Sequence, residues 1–141
     1  FFLYRKRHQR KKNDKNFSPY LIWYLMGKYL KFSSVTINNF IATPFQNDIR
    51  VYWKTASEID NAGFHLWRAT SEGWKEGDYS QVIRITDQLI SSKGNKVGGY
   101  PYSYIDSNVE SGITYYYGLE DIDFNGQSTV HWDFIDKATA K

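Results

Sequence analysis

Residues Thr55–Ala69 read Thr-Ala-Ser-Glu-Ile-Asp-Asn-Ala-Gly-Phe-His-Leu-Trp-Arg-Ala and connect two strand-like runs. The first run, Ile49–Lys54, precedes the stretch, and the second, Phe64–Trp67, lies within it. Both alternate apolar and polar residues with a period of two, which is typical of half-buried β-strands. Between them, Asp60–Gly63 indicates a turn, because Asx side chains bond nearby backbone and glycine accepts positive φ. The stretch therefore predicts two consecutive strands of a sandwich, Ile49–Thr55 and Phe64–Ala69, with Trp53 buried in its core.

Further alternating runs and turn residues divide the rest of the chain. We expect a first strand closed by Thr43-Pro44, because a residue before proline is pushed into an extended conformation. Ser71–Asp78 is predicted to be a connection, Ser92–Tyr100 the most mobile loop, and Ala138–Lys141 a tail. The other predicted strands are Val35–Ala42, Tyr79–Ile85, Gln88–Ser91, Tyr102–Asp106, Thr114–Asp121 and Ser128–Ile135.

Three blocks in this order resemble a fibronectin type III-like module of bacterial secreted and cell-surface proteins: Trp53–Arg68, Tyr104–Val109 and Gly112–Ser128. The resemblance implies an all-β, antiparallel two-sheet sandwich over residues 35–141. It also implies a non-catalytic module, secreted or at the cell surface, whose partners are neighbouring domains of the same polypeptide. In such sandwiches a tyrosine corner follows the fifth strand, and Tyr115 occupies that position here.

The predicted core combines residues from several strands. In the run Thr114–Asp121, alternate residues share the inward face, while Tyr116, Gly118 and Glu120 face outward. The chain has no cysteine, so this core must be held by burial, for which large aromatic side chains are suited. The predicted core residues are Trp53, Phe64, Leu66, Tyr115, Tyr117 and Leu119.

The charge of the chain is divided between an arm and the domain. Residues 1–34 hold nine Lys/Arg against one acid, a net charge of +8, and residues 35–141 hold nine Lys/Arg against fourteen Asp/Glu, a net charge of −5. The basic character therefore belongs to the arm. The acidic domain would repel phosphate, so we expect no nucleic-acid partner.

The arm has two interpretations, neither of which joins it to the sandwich core. Its segment Phe17–Phe32 would span only about 24 Å as a helix, short of a hydrocarbon core of about 30 Å. It is either an interfacial anchor or an unstructured extension of the domain. Because the chain begins with Phe1, we expect a fragment or a processed product. If the arm meets a partner, we expect an anionic membrane, contacted through Arg5, Lys6, Arg7, Arg10, Lys11 and Lys12.

No motif predicts catalysis, a cofactor or a metal site. Asp121–Gly126 reads D-x-D-x-N-G like the start of a calcium loop, but the twelfth position is Trp132 instead of a bidentate carboxylate. Asn-Gly between alternating runs favours a hairpin, with a weak cation site as the remaining alternative. Glu58 and Asp60 could form an acid–base pair, yet a turn role for Asp60 is favoured because a sandwich loop offers little cleft.

The two strand histidines, His65 and His131, have no metal-binding spacing and are expected to be ordinary strand residues. An aromatic platform is the sharpest candidate for ligand binding, and its alternative is that these rings cover the sheet. We therefore predict a structural, spacer or adhesion module, with a carbohydrate-binding module as the alternative. The candidate platform consists of Trp67, Trp74, Tyr100 and Trp132.

Overall fold

The computed structural model describes residues 35–70, 82–94 and 96–141. The predicted arm, the connection Ser71–Asp78 and the beginning of the predicted strand Tyr79–Ile85 lie outside the described residues. The described chain consists of strands joined by short turns and a single 3-10 turn. None of the described residues belongs to a helix long and apolar enough to cross a membrane.

Ten strands make up the described part of the chain. They are β1 (Val35–Phe45), β2 (Asp48–Glu58), β3 (Asn61–Ala69), β4 (Val82–Arg84), β5 (Ile90–Ser91), β6 (Lys96–Val97), β7 (Pro101–Asp106), β8 (Thr114–Asp123), β9 (Ser128–Val130) and β10 (Asp136–Thr139). The 3-10 turn, Trp132–Phe134, separates β9 from β10.

The smaller sheet is arranged around β2. β1 pairs with one edge of β2, and β7 and β6 pair with successive parts of its other edge, all antiparallel. Ile49, Val51 and Trp53 of β2 are fully buried, whereas the residues between them face outward. The apolar residues that recur at every second position of β2 thus form the face of this sheet that packs in the core.

The larger sheet has β3 and β8 at its centre. β4 and β5 pair with the outer edge of β3, and β9 and β10 pair with the outer edge of β8, again all antiparallel. Phe64 and Leu66 of β3 and Tyr117 and Leu119 of β8 are fully buried against the smaller sheet. The result is the predicted two-sheet sandwich.

An aromatic cluster joins the two sheets at the middle of the core. Trp53 stacks on Tyr102 with ring centroids 5.2 Å apart and planes inclined by 6°. Phe64 from the larger sheet meets both rings edge-on, at 5.7 Å and 5.0 Å. All six predicted core residues, Trp53, Phe64, Leu66, Tyr115, Tyr117 and Leu119, are buried, so the core prediction is confirmed.

The predicted tyrosine corner is also confirmed. The backbone N–H of Glu110 donates a hydrogen bond to the hydroxyl oxygen of Tyr115 at 2.9 Å. This hydrogen bond attaches the turn before β8 to a side chain of β8 itself.

The last strand differs from its prediction. The sequence pattern predicts one strand over Ser128–Ile135 and a tail over Ala138–Lys141, and both predictions are wrong. The chain leaves β8 after β9, passes through the 3-10 turn, and returns to β8 as β10. Ala140 exchanges backbone hydrogen bonds with Gly112 and Ile113, and both Ala138 and Ala140 are buried. The predicted tail therefore completes the core with small side chains.

Three predicted boundaries also change. The predicted turn Asp60–Gly63 is a tight corner in which only Ile59 and Asp60 lie between β2 and β3, and Gly63 belongs to β3. Asp60 adopts a positive φ of 55° there, a conformation that Asp tolerates better than most residues. The first strand continues through Pro44, which an edge strand accommodates because the missing N–H need not face a partner. The predicted loop Ser92–Tyr100 contains β6.

The described chain enters and leaves the sandwich at opposite ends. Val35 pairs with Glu58, next to the corner between β2 and β3. Thr139 pairs with Thr114, at the start of β8, and β8 ends near the same corner. A ten-residue strand such as β8 covers ~30 Å, which is therefore the separation of the two ends.

Candidate functional site

A buried ion pair ties the two sheets together. Nη1 of Arg68, in β3, lies 2.9 Å and 2.8 Å from the two carboxylate oxygens of Asp106, in β7. The same carboxylate accepts hydrogen bonds from the Tyr117 hydroxyl at 2.9 Å and from the Asn108 backbone N–H at 3.2 Å. Nη1 also donates to the Asn108 carbonyl at 2.7 Å. The Asp106 carboxylate and Nη1 of Arg68 thus make their hydrogen bonds to groups within the protein, so we assign this cluster a structural role.

Burial raises the pKa of Tyr117 above the usual value for tyrosine, and the neighbouring Asp106 raises it further. A tyrosine whose pKa is higher in the folded state than in the unfolded state stabilises the fold fully at pH values below ~10. This stabilisation is lost as the pH rises above ~10, because ionisation then favours the unfolded state. We expect the free energy of unfolding to fall when urea denaturation is measured at increasing pH above ~10. In the Tyr117→Phe variant, the free energy of unfolding should fall less steeply with pH over this range than in the natural sequence. An equal slope in the two proteins would contradict the assignment of this pH dependence to Tyr117.

A second buried network surrounds Glu58, for which an acid–base pair with Asp60 was the less favoured interpretation of the sequence. The fully buried Glu58 carboxylate accepts hydrogen bonds from the hydroxyls of Thr55 and Ser92, both at 2.6 Å, and of Tyr102, at 2.9 Å and 2.8 Å. Asp60 is exposed at the corner. The two carboxylates therefore do not face a common cleft, and Glu58 anchors β2 to the segments that carry Ser92 and Tyr102.

The turn after β8 is the predicted hairpin. Oδ1 of Asp123 accepts hydrogen bonds from the backbone N–H groups of Asn125 and Gln127, at 2.8 Å and 2.9 Å. Asp121 is buried, and its Oδ2 lies 2.6 Å from Nε2 of His131. In the part of the chain that the structure describes, no group of three His, Cys, Asp or Glu could hold a metal ion. The absence of a tight calcium site at this turn stays a prediction.

Both domain histidines are bonded to neighbouring side chains. Nδ1 of His65 lies 2.8 Å from the hydroxyl of Thr86, whereas His131 follows β9 and binds Asp121. Burial lowers the pKa of His65, and nearby Arg84 lowers it further. These are the contacts of strand and turn residues that hold the larger sheet together.

The structure places two members of the predicted aromatic platform, Trp67 and Tyr100, in different sheets. Trp67 lies on the outer face of the larger sheet, in β3, whereas Tyr100 precedes β7 of the smaller sheet and packs against the core. Trp132 begins the 3-10 turn, and Trp74 lies outside the described residues. Trp67 and Tyr100 thus belong to different sheets and do not share a surface.

Trp67 is held in a defined orientation. Its indole N–H donates to Oε2 of Glu120 at 2.7 Å, and the other carboxylate oxygen accepts a hydrogen bond from the Ser128 hydroxyl. Across the strand pair it faces Gly118, which has no side chain to cover the indole. A half-buried ring fixed beside a glycine is one candidate binding surface.

A second candidate surface, which sequence reasoning missed, is a shallow groove on the outer face of the smaller sheet. Its lining includes Arg50, Tyr52, Lys93 and Ser103 and contains no carboxylate. The guanidinium of Arg50 lies 3.8 Å above the ring centroid of Phe45. The alternation of β2 does place Arg50 and Tyr52 outward, but their proximity to Lys93 and Ser103 requires the pairing of β2 with β7.

The arrangement of β1, β2 and β7 against β4, β3, β8 and β10 defines a fibronectin type III-like β-sandwich. The structure is similar to that of an Fn3-like protein from Clostridium thermocellum, with 18% sequence identity, a TM-score of 0.49, and coverage of 77% of this chain and 94% of that one. It is also similar to pectate lyase Pel3 from Pectobacterium carotovorum, with 14% identity, a TM-score of 0.45, and coverage of 71% of this chain and 26% of the lyase. The sequence matches no protein-family model and no curated protein.

Proposed function

We propose that the domain is a non-catalytic spacer or adhesion module of a larger secreted or surface-anchored bacterial protein. The observation that carries this proposal is the position of the first and last residues of the sandwich strands, Val35 and Thr139, at opposite ends of the sandwich. A domain with this connection holds the segments on either side apart by its own length, ~30 Å. Its partners are then neighbouring domains of the same polypeptide.

The internal contacts favour a stiff body. The aromatic cluster of Trp53, Phe64 and Tyr102 and the pair Arg68–Asp106 both bridge the two sheets. The buried carboxylates of Glu58 and Asp106 accept several hydrogen bonds each from protein groups, which leaves them poorly placed to act on a substrate. The proposal of a non-catalytic role rests on this saturation.

The spacer role is tested by measuring the distance between the two ends. The chain has no cysteine, so Thr36→Cys and Thr139→Cys introduce two unique sites for spin labels. Both residues are exposed. We expect pulsed electron resonance to give a narrow distribution centred near 30 Å, plus the label linkers.

A same-end pair provides the control for this measurement. Thr36→Cys with Gln127→Cys places both labels near the corner between β2 and β3, and should give a clearly shorter distance. A broad distribution for the opposite-end pair, or equal distances for the two pairs, would rule out a stiff spacer.

Carbohydrate binding is the second candidate, favoured by the fixed orientation of Trp67 beside Gly118. A sugar ring stacks on an aromatic face, and a ring that is already immobilised loses little entropy when it binds. On an array of neutral glycans we expect any saturable binding to be lost in Trp67→Ala and retained in the groove variant Tyr52→Ala. Binding that survives Trp67→Ala would exclude this surface.

A further inference from the structure

The outer face of the smaller sheet is basic although the domain as a whole is acidic. Arg50 and Lys54 project from β2, and Lys93 lies at the rim of the groove. Of the carboxylates on the strands of this sheet, Glu58 and Asp106 are buried and hydrogen-bonded. Asp48 begins β2 on the same outer face as Arg50, so this face carries three cations against one carboxylate. The positive charge of this face is therefore local and is not a reflection of the composition.

The three cations are not neutralised by carboxylates within the described residues. The ion pairs there are Arg68–Asp106 and His131–Asp121. Arg50 instead stacks on Phe45, and the ammonium of Lys93 donates to the Pro101 carbonyl above the ring of Tyr102. These contacts hold the charged groups of Arg50 and Lys93 in place while their charge remains available to a ligand.

The outer face of the smaller sheet combines charge with groups that suit a sugar. Arg50 and Lys54 are four residues apart on the same face of β2, a separation of ~13 Å. Tyr52 lies between them, and Ser103 is its partner across the β2–β7 pair. A guanidinium binds a carboxylate through two parallel hydrogen bonds, a tyrosine ring stacks on a pyranose, and a hydroxyl bonds the sugar hydroxyls.

We propose that this face binds an acidic polysaccharide, a chain of sugar rings that carry carboxylates. This goes beyond the spacer role, which needs no ligand. A neutral glycan would leave all three cations unused. A nucleic acid is a weaker fit because it carries dense phosphate charge and the domain that surrounds the face has a net charge of −5.

The test uses the full 141-residue chain and short oligomers of galacturonic acid and of glucuronic acid. We expect amide chemical-shift changes in β2 and β7, including Tyr52 and Ser103. Arg50→Gln and Lys54→Gln should each weaken the affinity measured by calorimetry about tenfold, because each removes a charged contact. The same oligomers with methyl-esterified carboxyls should bind at least tenfold more weakly. Affinity should also fall with added salt.

The control variant is Lys137→Gln, which removes an equal charge from the larger sheet and should leave the affinity unchanged. The arm is present in every variant, so its charge cannot produce a difference between them. Four results would overturn the proposal: no shift changes with either uronate, changes that do not include β2 and β7, equal binding of the esterified oligomers, or equal weakening by Lys137→Gln. Tighter binding of a short single-stranded DNA that is weakened by Arg50→Gln and Lys54→Gln but not by Lys137→Gln would overturn it in favour of a nucleic-acid ligand.

Discussion

Replacement of Trp53 by alanine is expected to lower the free energy of unfolding by about 3–5 kcal/mol. The side chain is fully buried, stacks on Tyr102, and meets Phe64 from the opposite sheet. Alanine removes these contacts and leaves a cavity, because the surrounding close-packed core relaxes only partially around a truncated side chain. The loss should appear as a lower midpoint in urea denaturation with an unchanged denaturant slope.

Two further variants show whether ring packing is the cause. Nε1 of Trp53 is buried without a hydrogen-bond partner in the described structure, so Trp53→Phe gives up no hydrogen bond and should cost clearly less than Trp53→Ala. Lys54→Ala changes the next residue on the outer face and should alter stability by at most about 0.5 kcal/mol. If Trp53→Ala cost no more than Lys54→Ala, the assignment of Trp53 to the centre of the core would be wrong.

The positions of the core residues could be predicted because burial in a strand follows a period of two. Trp53, Phe64, Leu66, Tyr117 and Leu119 all lie in phase with their neighbours, and all are buried. Arg68 lies in phase with Phe64 and Leu66 as well, but its charge hides this signal, since a charged residue is almost never buried without a partner. That partner, Asp106, lies in the other sheet and cannot be found from local sequence.

The wrong prediction of a single strand over Ser128–Ile135 also arises from contacts that local sequence does not show. Apolar residues continue through Trp132 and Phe134, so the pattern gives no sign that the strand is interrupted. The interruption follows from tertiary contacts: the backbone N–H of His131 donates to the Leu119 carbonyl, and its ring binds the buried Asp121. A one-dimensional pattern does not contain such contacts.

The two candidate binding surfaces depend on which strands lie side by side, even more than the strand boundaries do. Sequence reasoning grouped Trp67 with Tyr100 because both are aromatic, and the two sheets separate them. The basic groove requires Arg50 of β2, Lys93 after β5 and Ser103 of β7 to meet on one face. Alternation predicts which face of a strand a residue occupies, but which strands lie side by side is a property of the fold.

Loss of the Asp106 carboxylate is the second change with a large expected effect. Asp106→Asn should lower the free energy of unfolding by about 3–5 kcal/mol, because it leaves the buried guanidinium of Arg68 without a counter-charge. The amide also replaces one of the two oxygens that accept hydrogen bonds from Arg68, Tyr117 and the Asn108 backbone. Urea denaturation at neutral pH measures the change, and Asp48→Asn, at the less buried start of β2, serves as the charge-matched control.

A double-mutant cycle separates the ion pair from the general effect of substitution in the core. Arg68→Met alone leaves the Asp106 carboxylate as an uncompensated buried charge, and should also destabilise the fold strongly. Arg68→Met combined with Asp106→Leu removes both charges, so its loss should be clearly smaller than the sum of the losses for Arg68→Met and Asp106→Leu measured singly. Additive losses would mean that the two side chains act independently, and that the sheets are held together by the aromatic cluster and the backbone alone.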